Sequence, residues 1–389
     1  MAKLGEVCTI VSGSTPKTSV TSYWDGNIKW ITPAELNEDT FYIMDSVRHI
    51  TEEGKEKTGL SYLPTGTVIL SSRAPIGKTA IAGCKMCCNQ GFKNLICSDA
   101  VYNEYLYFFL KSKTDYLNSL GRGATFKEIS KSIVENIEIP LPEVNQQKEI
   151  AEKFKKLEQL ISLRKQQLAK LDELVKARFV EMFGDSVANT KNFPSTTLET
   201  VMTVFPQNGL YKPQTDYVQD DTGIPILRID AFYNGKVTNW NTLKRLICSE
   251  TEIDRYLLKE NDIVINRVNS IEYLGKCAHI VGLKEKTVFE SNMMRFHMDE
   301  KKVNAVYVTE VLCTEDIYRQ ILRRAKKSVN QASINQEDVK GLEILVPPLS
   351  LQNQFAAFVE RVDQQKQTVQ QSLEKLELMK KALMQEYFG

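Results

Sequence analysis

An internal repeat constrains this chain more than any other sequence feature. The segment ISKSIVENIEIPLPEVNQQKEIAEKF, beginning at Ile129, aligns with INQEDVKGLEILVPPLSLQNQFAAFV, beginning at Ile334. The offset of 205 residues holds without a gap up to Gly184 and Gly389. An ungapped match of this length is hard to obtain by chance, and self-similarity at a fixed period marks a repeated structural unit. The chain is therefore predicted to be two copies of one unit.

Upstream of this match, the two copies keep the positions of turns and strands but not the sequence. LPTGTVILSS, beginning at Leu63, corresponds to LKENDIVINR, beginning at Leu258, and each is a turn followed by a β-branched strand. Further on, Gly77-Lys78 corresponds to Gly275-Lys276. One part of each copy keeps its sequence while the other keeps only its scaffold. Such a division is expected of a protein whose two domains share a scaffold but recognise different targets.

The conserved part of each copy contains a heptad seam, with apolar residues in steps of three and four. The first seam consists of Ile150, Phe154, Leu157, Ile161, Leu168, Leu171, Val175 and Met182. The second consists of Phe355, Val359, Val362, Val369, Leu373, Leu376, Leu383 and Tyr387. Each seam predicts a helix of about 35 residues, which extends roughly 50 Å at about 1.5 Å per residue.

Basic residues interrupt both seams. Arg164 and Arg178 interrupt the first seam, and Lys366 and Lys380 interrupt the second. At the offset of 205, each of these four corresponds to an apolar residue in the other copy. The alternation favours pairing of the two helices with each other over packing of each helix on its own domain.

The predicted fold class is therefore α+β, with two mixed α/β domains separated by two long antiparallel α-helices that form a coiled coil. The repeat gives the whole a pseudo-two-fold character. The polar, turn-rich segment GDSVANTKNFPS links the two copies. The predicted segments are a first domain (1–142), a first helical spacer (143–184), a second domain (185–347) and a second helical spacer (348–389).

Length and composition describe an ordinary multidomain protein. A chain of 389 residues exceeds the roughly 250–300 residues at which single cores stop growing. Hydrophobic residues make up 42% and charged residues 25%, as in soluble globular proteins. No apolar run approaches the roughly 18–20 residues that span a bilayer, and the start MAKLGEVCTIVSG does not resemble a secretory signal. We expect a cytoplasmic protein with no membrane segment.

The eight cysteines fit a reducing compartment. Cys84, Cys87 and Cys88 form a CxxCC cluster that raises the question of zinc. Tetrahedral zinc usually needs a second cysteine pair or closely spaced histidines, and the chain's three histidines are not at ligand spacing. We therefore expect free thiols and no metal site.

Motifs for catalysis are missing from the sequence. It contains no HExxH, GxSxG or GxGxxG motif, and the spacing of its carboxylates and lysines picks out no catalytic pair. SRAPIGKT, from Ser72 to Thr79, resembles the phosphate-binding pattern GxxxxGK followed by Ser or Thr. However, Ser72 replaces the leading glycine, and β-rich TAIAGCK follows where a helix N-terminus would be needed. We predict a turn between two strands with Lys78 at its tip, in a chain that is not an enzyme.

Basic side chains in turn-like segments of both variable domains predict a DNA-binding surface. Lysine neutralises phosphates, and arginine can also bond guanine bidentately in the major groove. The net charge of only +1 requires that the positive charge be local or that a partner share the DNA backbone. The strongest signals are the cluster at 323–327 and the loop GRGATF at 121–126. The candidates are Lys17, Arg73, Lys78, Lys93, Arg122, Lys127, Lys212, Arg228, Arg267, Lys276, Arg323, Arg324, Lys326 and Lys327.

Several segments resemble the specificity subunits of type I restriction–modification systems. TPKTSVTSYWDGNIKWITPAEL, from Thr15 to Leu36, is similar to the opening of a target-recognition domain in that family. SRAPIGK, IEIPLPEVNQQKEIAEKF and the Phe-Gly pair that closes each helix are similar too. The Pro-x-x-x-x-Gln-x-x-Ile core, from Pro142 to Ile150, is the most specific element. The second copy departs from this pattern, with Phe355 at the Ile150 position and no TPKTS…YW segment.

The resemblance implies that each domain reads one half of a split target in double-stranded DNA. It also implies that the helices set the unspecified gap and dock two modification (methyltransferase) subunits. Those partners would hold S-adenosylmethionine and flip the target adenine out of the duplex. Restriction and translocase subunits would add ATP and Mg, so that this chain itself carries no cofactor. The predicted helix length suits two sites one to one and a half turns of DNA apart, at about 34–36 Å per turn.

Two other functions remain open on the sequence. One is an enzyme, with either a P-loop-like nucleotide site at SRAPIGKT or an unfamiliar active site. The other is a protein–protein scaffold whose helix pair is its only working surface.

Overall fold

The computed structural model describes residues 1–37, 39–73, 75–123, 127–220 and 222–389. These residues divide into two units, of which the first comprises Met1–Gln167 and Val369–Gly389 and the second comprises Leu168–Thr368. Each unit holds one mixed α/β domain and a segment of each of two long helices, Val144–Phe183 and Leu349–Phe388. At 40 residues each, the helices begin several residues before their apolar seams.

The domain of the first unit is built on antiparallel strands. Its main sheet has the spatial order Cys8–Ser12, Phe92–Cys97, Val68–Ser71, Thr79–Ala82 and Tyr42–Ile43, with the last pair parallel. A smaller sheet has the order Arg48–Ile50, Trp24–Ile31 and Cys87–Cys88, and Ala2–Lys3 pairs with Glu138–Ile139. The short helices are Leu4–Val7, Glu52–Thr58, Asn103–Ser112, Thr114–Leu120 and Lys131–Glu135.

The core of the first unit lies on both faces of the strand Val68–Ser71. Alternate residues of a strand point to opposite faces, and Val68 and Leu70 pack with Phe108 of the helix Asn103–Ser112. Ile69 points the other way, into a second apolar cluster. Because both faces are covered, the strand is entirely buried, and its first three residues are apolar.

The domain of the second unit repeats this plan. Its main sheet has the order Met202–Asn208, Met293–Met298, Asp262–Asn266, Cys277–His279, Gly235–Val237 and Phe232–Tyr233. A second sheet has the order Tyr217–Val218, Lys244–Leu246, Ile224–Leu227 and Val288–Phe289. A third has the order Val268–Asn269, Ala332–Ser333 and Lys326–Lys327, and Ser195–Thr197 pairs with Glu343–Leu345. The short helices are Glu250–Tyr256, Ala305–Leu312, Glu315–Arg324 and Gln336–Lys340.

A buried glutamine explains the strongest sequence match between the copies. The Gln147 side chain accepts from the backbone N–H of Tyr102 at 2.8 Å and donates to the carbonyl of Pro142 at 2.8 Å. Gln352 makes the corresponding pair of bonds in the second unit, at 2.9 and 2.7 Å. Buried backbone groups need such partners. In each unit the glutamine therefore fixes the start of the long helix to its own domain.

Within the first unit the two helix segments are antiparallel, because early residues of the first helix contact late residues of the second. The rings of Phe154 and Phe388 stack with centroids 5.6 Å apart. Nearer the middle of the first helix, Glu158 accepts from Lys380 at 2.7 Å. The residue numbers run in opposite directions along the pair, as the predicted coiled coil requires.

The second unit shows the same antiparallel pairing between its own segments. Phe183 lies with its ring centroid 5.4 Å from that of Phe355, and Asp172 accepts a hydrogen bond from Lys366. Phe179, which the predicted seam omits, also packs on Phe355, at 5.5 Å. The buried members of the predicted seams are Ile150, Phe154, Leu157, Ile161, Leu171, Val175, Phe355, Val359, Val362, Val369 and Leu373. The half-buried members are Leu168, Met182, Leu376, Leu383 and Tyr387.

All four basic interruptions of the seams contact the opposite helix within their unit. The two lysines make the ion pairs just described. Arg164 donates through Nε to Ser372 Oγ at 3.2 Å, and the Arg178 guanidinium lies 5.9 Å from the ring centroid of Phe358. The alternation read from the sequence therefore corresponds to polar contacts between the helices. No helix among the described residues is both long and apolar enough to cross a membrane.

Candidate nucleic-acid interface

Four of the six basic candidates in the first unit converge on Glu128. Arg73 and Arg122 each form a β-bridge with Glu128, and the Lys93 ammonium lies 3.0 Å from its carboxylate. Lys127 precedes Glu128 and is exposed. The structure thus gathers residues that are far apart in the sequence, and we call Arg73, Lys93, Arg122 and Lys127 the first basic cluster.

The members of the first basic cluster differ in how available their charges are. Arg122 and Lys127 are exposed and Arg73 is half-buried, and none of the three side chains has a hydrogen bond or ion pair with a described residue. Lys93 is only 7% exposed and is already paired. Of the loop GRGATF, residues 124–126 lie outside the described residues. The two arginines and Lys127 are therefore the cations that a phosphate could reach.

The segment from Ser72 to Thr79 is a turn between two antiparallel strands, as predicted, although residue 74 lies outside the described residues. Gly77 has a φ of +96°, a conformation that favours glycine. Lys78 does not project into solvent, because its ammonium donates to the carbonyls of Leu36 at 2.6 Å and Pro33 at 3.2 Å. A buried strand follows where a phosphate site needs a helix N-terminus, so the segment lacks the geometry of a P-loop.

In the second unit, the two lysines of the strongest sequence cluster form one strand of a hairpin with an exposed turn. Lys326 pairs with Ser333 and Lys327 with Ala332, and both lysine side chains are exposed. We call residues 326–333 the second basic ribbon. Lys327 corresponds to Arg122 at the offset of 205, so each unit has a basic residue in a strand pairing at this position of the sequence.

The two arginines that precede this ribbon serve different purposes. Arg324 donates to the carbonyls of Gln320 at 3.0 Å and Gly341 at 2.9 Å, so its guanidinium holds the helix end against the domain. Arg323 is exposed and donates only to the carbonyl of Arg319, one turn back, at 3.3 Å. Judged by the described contacts, the guanidinium of Arg323 is therefore more available to a ligand than that of Arg324.

The remaining candidates of the second unit are partly engaged by neighbours. Lys212 lies 2.9 Å from Glu252. A backbone bond from Ser249 and this lysine lower the pKa of Glu252 to about 2. Arg228 is 3.8 Å from both Asp230 and Glu290. Nearby carboxylates therefore neutralise the charges of these two basic side chains.

Two further candidates of the second unit are Arg267, which lies at the base of the second basic ribbon, and Lys276. Arg267 donates to the carbonyl of Ser291 at 3.1 Å, and its own carbonyl accepts from the backbone N–H of Ile334 at 2.9 Å. The ammonium of Lys276 lies 3.9 Å from the ring centroid of Tyr273. Tyr273 is 37% exposed. An aromatic face that bears a cation is thus partly open to solvent in the second unit.

Lys17 is not part of the first basic cluster. It lies beside a pair of tryptophans that the sequence analysis does not identify. Its carbonyl accepts from the indole of Trp24 at 3.2 Å. The Arg48 guanidinium lies 3.5 Å from the ring centroid of Trp24, and Trp24 packs edge-to-face on Trp30 at 5.1 Å. The even spacing of the two tryptophans within one strand places them on one face and could have revealed the pair. Nothing in the sequence points to Arg48.

The cysteines of the CxxCC cluster are in an apolar setting. Burial raises the pKa of Cys87 to about 11 and that of Cys88 to about 12, which keeps both thiols protonated at neutral pH. Within the described ranges no group of three His, Cys, Asp or Glu side chains is placed to hold a metal ion.

Comparisons with known proteins agree with one another. A sequence model of the family described as "Type I restriction modification DNA specificity domain" matches residues 1–173 and 193–378. The chain is 28% identical over 386 residues to the type I restriction enzyme MjaIX specificity subunit of Methanocaldococcus jannaschii, covering 92% of this chain and 85% of that protein. It is 26% identical over 281 residues to the EcoKI specificity subunit of Escherichia coli K12, covering 68% of this chain and 58% of that protein.

Solved structures show the same fold. The crystal structure of a type I restriction-modification system S subunit from M. genitalium aligns with a TM-score of 0.61 at 14% identity, covering 100% of this chain and 95% of that one. A chain from a structural study of complex assembly and conformational transition in a type I R-M system aligns with a TM-score of 0.57 at 17% identity. That alignment covers 100% of this chain and 96% of the other.

Proposed function

The chain belongs to the family of type I restriction–modification DNA specificity subunits, and on that premise we propose that each of its two α/β domains binds one half of a bipartite duplex target. The family and its role in DNA sequence recognition confirm what the sequence predicts, as does the mixed α/β fold of the solved relatives. One observation carries the division into halves. The two units have basic residues in strand pairings at corresponding positions of the sequence, Arg122 with Glu128 and Lys327 with Ala332, although the residues around them differ.

The difference between these two strand pairings supports two different half-sites. At the offset of 205, Arg122 corresponds to Lys327, and Glu128 to Ser333. Arginine can bond guanine bidentately, whereas lysine acts as a point charge on phosphate or base. The carboxylate of Glu128 neutralises Lys93 in the first unit. Domains that meet DNA with different charges and donors would read different sequences.

The helices are proposed to dock two modification subunits. In the first unit, the helix segments expose Leu160, Leu163, Leu378 and Met379, each between 45% and 69% accessible. In the second unit, Leu174 and Val180 are 46% and 60% exposed. Apolar side chains on the outer face of a paired helix support a protein partner. We propose that such partners hold S-adenosylmethionine for adenine methylation, and that restriction subunits using ATP and Mg join them in the cytoplasm.

Methylation mapping tests the main proposal. Genomes from cells with and without the gene would be sequenced for methylated adenine. We expect deletion to remove methylation at one bipartite motif, because the modification subunits lose the chain that directs them. A methylome unchanged by the deletion would contradict the proposed function.

The spacer role has its own test. Inserting four residues at equivalent positions of Val144–Phe183 and Leu349–Phe388 would lengthen both helices by about 6 Å at about 1.5 Å per residue. We expect a longer gap between two unchanged half-sites in the methylated motif. A changed half-site sequence, or an unchanged gap in an active complex, would refute the spacer role.

A further inference from the structure

The tip of the second basic ribbon is an unbroken run of exposed residues. Residues 326–331 are all exposed, and Val329 at the turn is 97% accessible. The backbone N–H of Ser328 donates to the carbonyl of Gln331 at 2.7 Å, which closes the turn on Val329 and Asn330. The side chains of Asn330 and Gln331 have no hydrogen bond with any described residue. The ribbon thus displays an apolar side chain and two amides that the fold itself does not use.

The base of the ribbon is firmly held. Ala332 and Ile334 are only 3% and 2% exposed, and the backbone N–H of Ile334 donates to the carbonyl of Arg267 at 2.9 Å. Ala332 also pairs with Asn269 of the neighbouring strand. A tip carried on such a base keeps its direction, which matters because recognition groups on rigid elements lose less entropy on binding.

The chemistry of this tip matches the major groove of DNA. That groove, about 12 Å wide, admits a two-stranded β-ribbon. Asn and Gln can bond the N6 and N7 edge of adenine bidentately, and an apolar side chain can contact the methyl group of thymine. Lys326 and Lys327, on the strand that leads into the turn, are placed to meet the phosphates beside the groove.

We infer that the second basic ribbon enters the major groove of one half-site, where Asn330 and Gln331 read an adenine-containing step and Lys326 and Lys327 hold the flanking phosphates. The inference rests on the proposed function and deepens it, since it assigns base reading to particular side chains. It concerns the second unit, because residues 124–126 of the corresponding segment in the first unit lie outside the described residues.

The experiment uses the full chain in complex with its modification subunits, once methylation mapping has given the target motif. Binding is measured at low salt to the cognate duplex and to duplexes carrying each single base-pair change. The variant Asn330→Ala/Gln331→Ala is compared with Gln336→Ala. Gln336 is an exposed amide in the same unit without a hydrogen bond to any described side chain, so it serves as the matched control.

For the double variant we expect discrimination to fall at one or two adjacent positions of one half-site. The expected fall is about 5- to 150-fold, the range for loss of one bidentate base contact. The other half-site and the control should be unaffected. Lys326→Ala/Lys327→Ala should weaken all duplexes alike and reduce the slope of log affinity against log salt by about 2, roughly one per phosphate contact.

Retained discrimination at every position in the double variant would overturn the inference, whether or not overall affinity falls. A loss confined to the half-site read by the first unit would overturn it as well. Failure of the proposed function is a separate result, because it appears earlier as a gene deletion that removes no methylated motif. Since the altered side chains are exposed, unchanged thermal unfolding of each variant confirms that folding is not the cause.

Discussion

At one position, the two units attach their domains to the long helices by different chemistry. Tyr105 and Tyr307 occupy corresponding positions, since each hydroxyl donates to a backbone carbonyl 2.9 Å away, that of Pro140 in the first unit and that of Leu345 in the second. Three residues later, the first unit has Phe108, whose ring stacks 5.1 Å from that of Phe154, and the second unit has Glu310. The backbone frame is shared, while the group that faces the helix is aromatic in one unit and acidic in the other.

The acidic attachment depends on its neighbours for compensation. Burial raises the pKa of Glu310, and Lys236 opposes that rise. Lys236 also bonds Asp363 of the second long helix. The same backbone arrangement therefore tolerates either an aromatic or a charged side chain at this position, because the tyrosine hydrogen bonds are kept in both units. The aromatic attachment should be insensitive to pH, and the acidic one should not.

The largest expected effect comes from removing the aromatic attachment. Phe154 is fully buried, and Phe154→Ala should lower the free energy of unfolding by about 3–5 kcal/mol. Val359 occupies the corresponding position in the second unit at 4% exposure. Val359→Ala removes far less buried surface, roughly 1–2 kcal/mol at about 0.8 kcal/mol per methylene. Urea unfolding of the purified chain measures both, and equal losses would remove the distinction between the two attachments.

The shared frame can be tested with its two glutamines. Gln147→Ala and Gln352→Ala each leave buried backbone groups without partners, which should cost about 1–3 kcal/mol of unfolding free energy. Because the bonds correspond, we expect similar losses in the two units. Urea unfolding with a probe in each unit would measure them. A clear inequality would show that the frame is not equivalent in the two copies.

A pH series should separate the two attachments. The pKa of Glu310 is raised in the folded state. Its contribution to the free energy of unfolding is therefore fully present below the ordinary pKa of 4.5 and is lost as pH rises through the pKa of the folded state. Glu310→Gln should therefore stabilise the chain at neutral pH, and the gain should vanish in acid. Thermal unfolding between about pH 4 and pH 8 measures it, with an effect smaller than that of the glutamine variants.

The control for this series is Lys236→Met, which removes the cation that favours ionised Glu310. It should make the loss of stability with rising pH steeper. A Glu310→Gln variant with the same pH profile as the parent chain would show that this carboxyl does not titrate differently on folding.

The smallest expected effect concerns the tryptophan pair of the first unit. Arg48 is exposed and lies over Trp24, so Arg48→Ala should cost about 0.5–1 kcal/mol of stability. The corresponding strand of the second unit has Ile226 in place of Trp30, since each of these residues is the first of two that pair in parallel with an equivalent strand. Tryptophan fluorescence during unfolding measures the change. A loss above about 2 kcal/mol would mean that Arg48 supports more than this contact.

Sequence reasoning predicts the features that depend on periodicity. The heptad seams identify most of the residues that are buried between the helices, because burial on one face of a helix imposes a repeat of three and four. The alternating basic residues likewise indicate that the helices pair with each other. Phe179 and Phe183 are missed, because they pack partly on Tyr307 of the domain and so lie off the regular seam.

The availability of individual charges is much harder to predict. Lys78 and Lys93 occupy turn-like or polar contexts in the sequence, yet carbonyl groups engage the first and Glu128 engages the second. Both sets of partners are more than thirty residues away along the chain. Local sequence cannot identify such partners, because the topology of the sheet brings them together. Which lysines are free is therefore a property of the fold.

The way in which the chain divides between the two units affects its folding during translation. The second unit, Leu168–Thr368, is one continuous stretch, whereas the first needs Val369–Gly389 in addition to its own domain. Phe154 acquires its partner Phe388 only after more than 200 further residues have been synthesised. At about 5–20 residues per second, that is a wait of roughly 10–50 s on the ribosome. During translation, the domain made first is thus the one completed last, with an apolar helix face uncovered in the meantime.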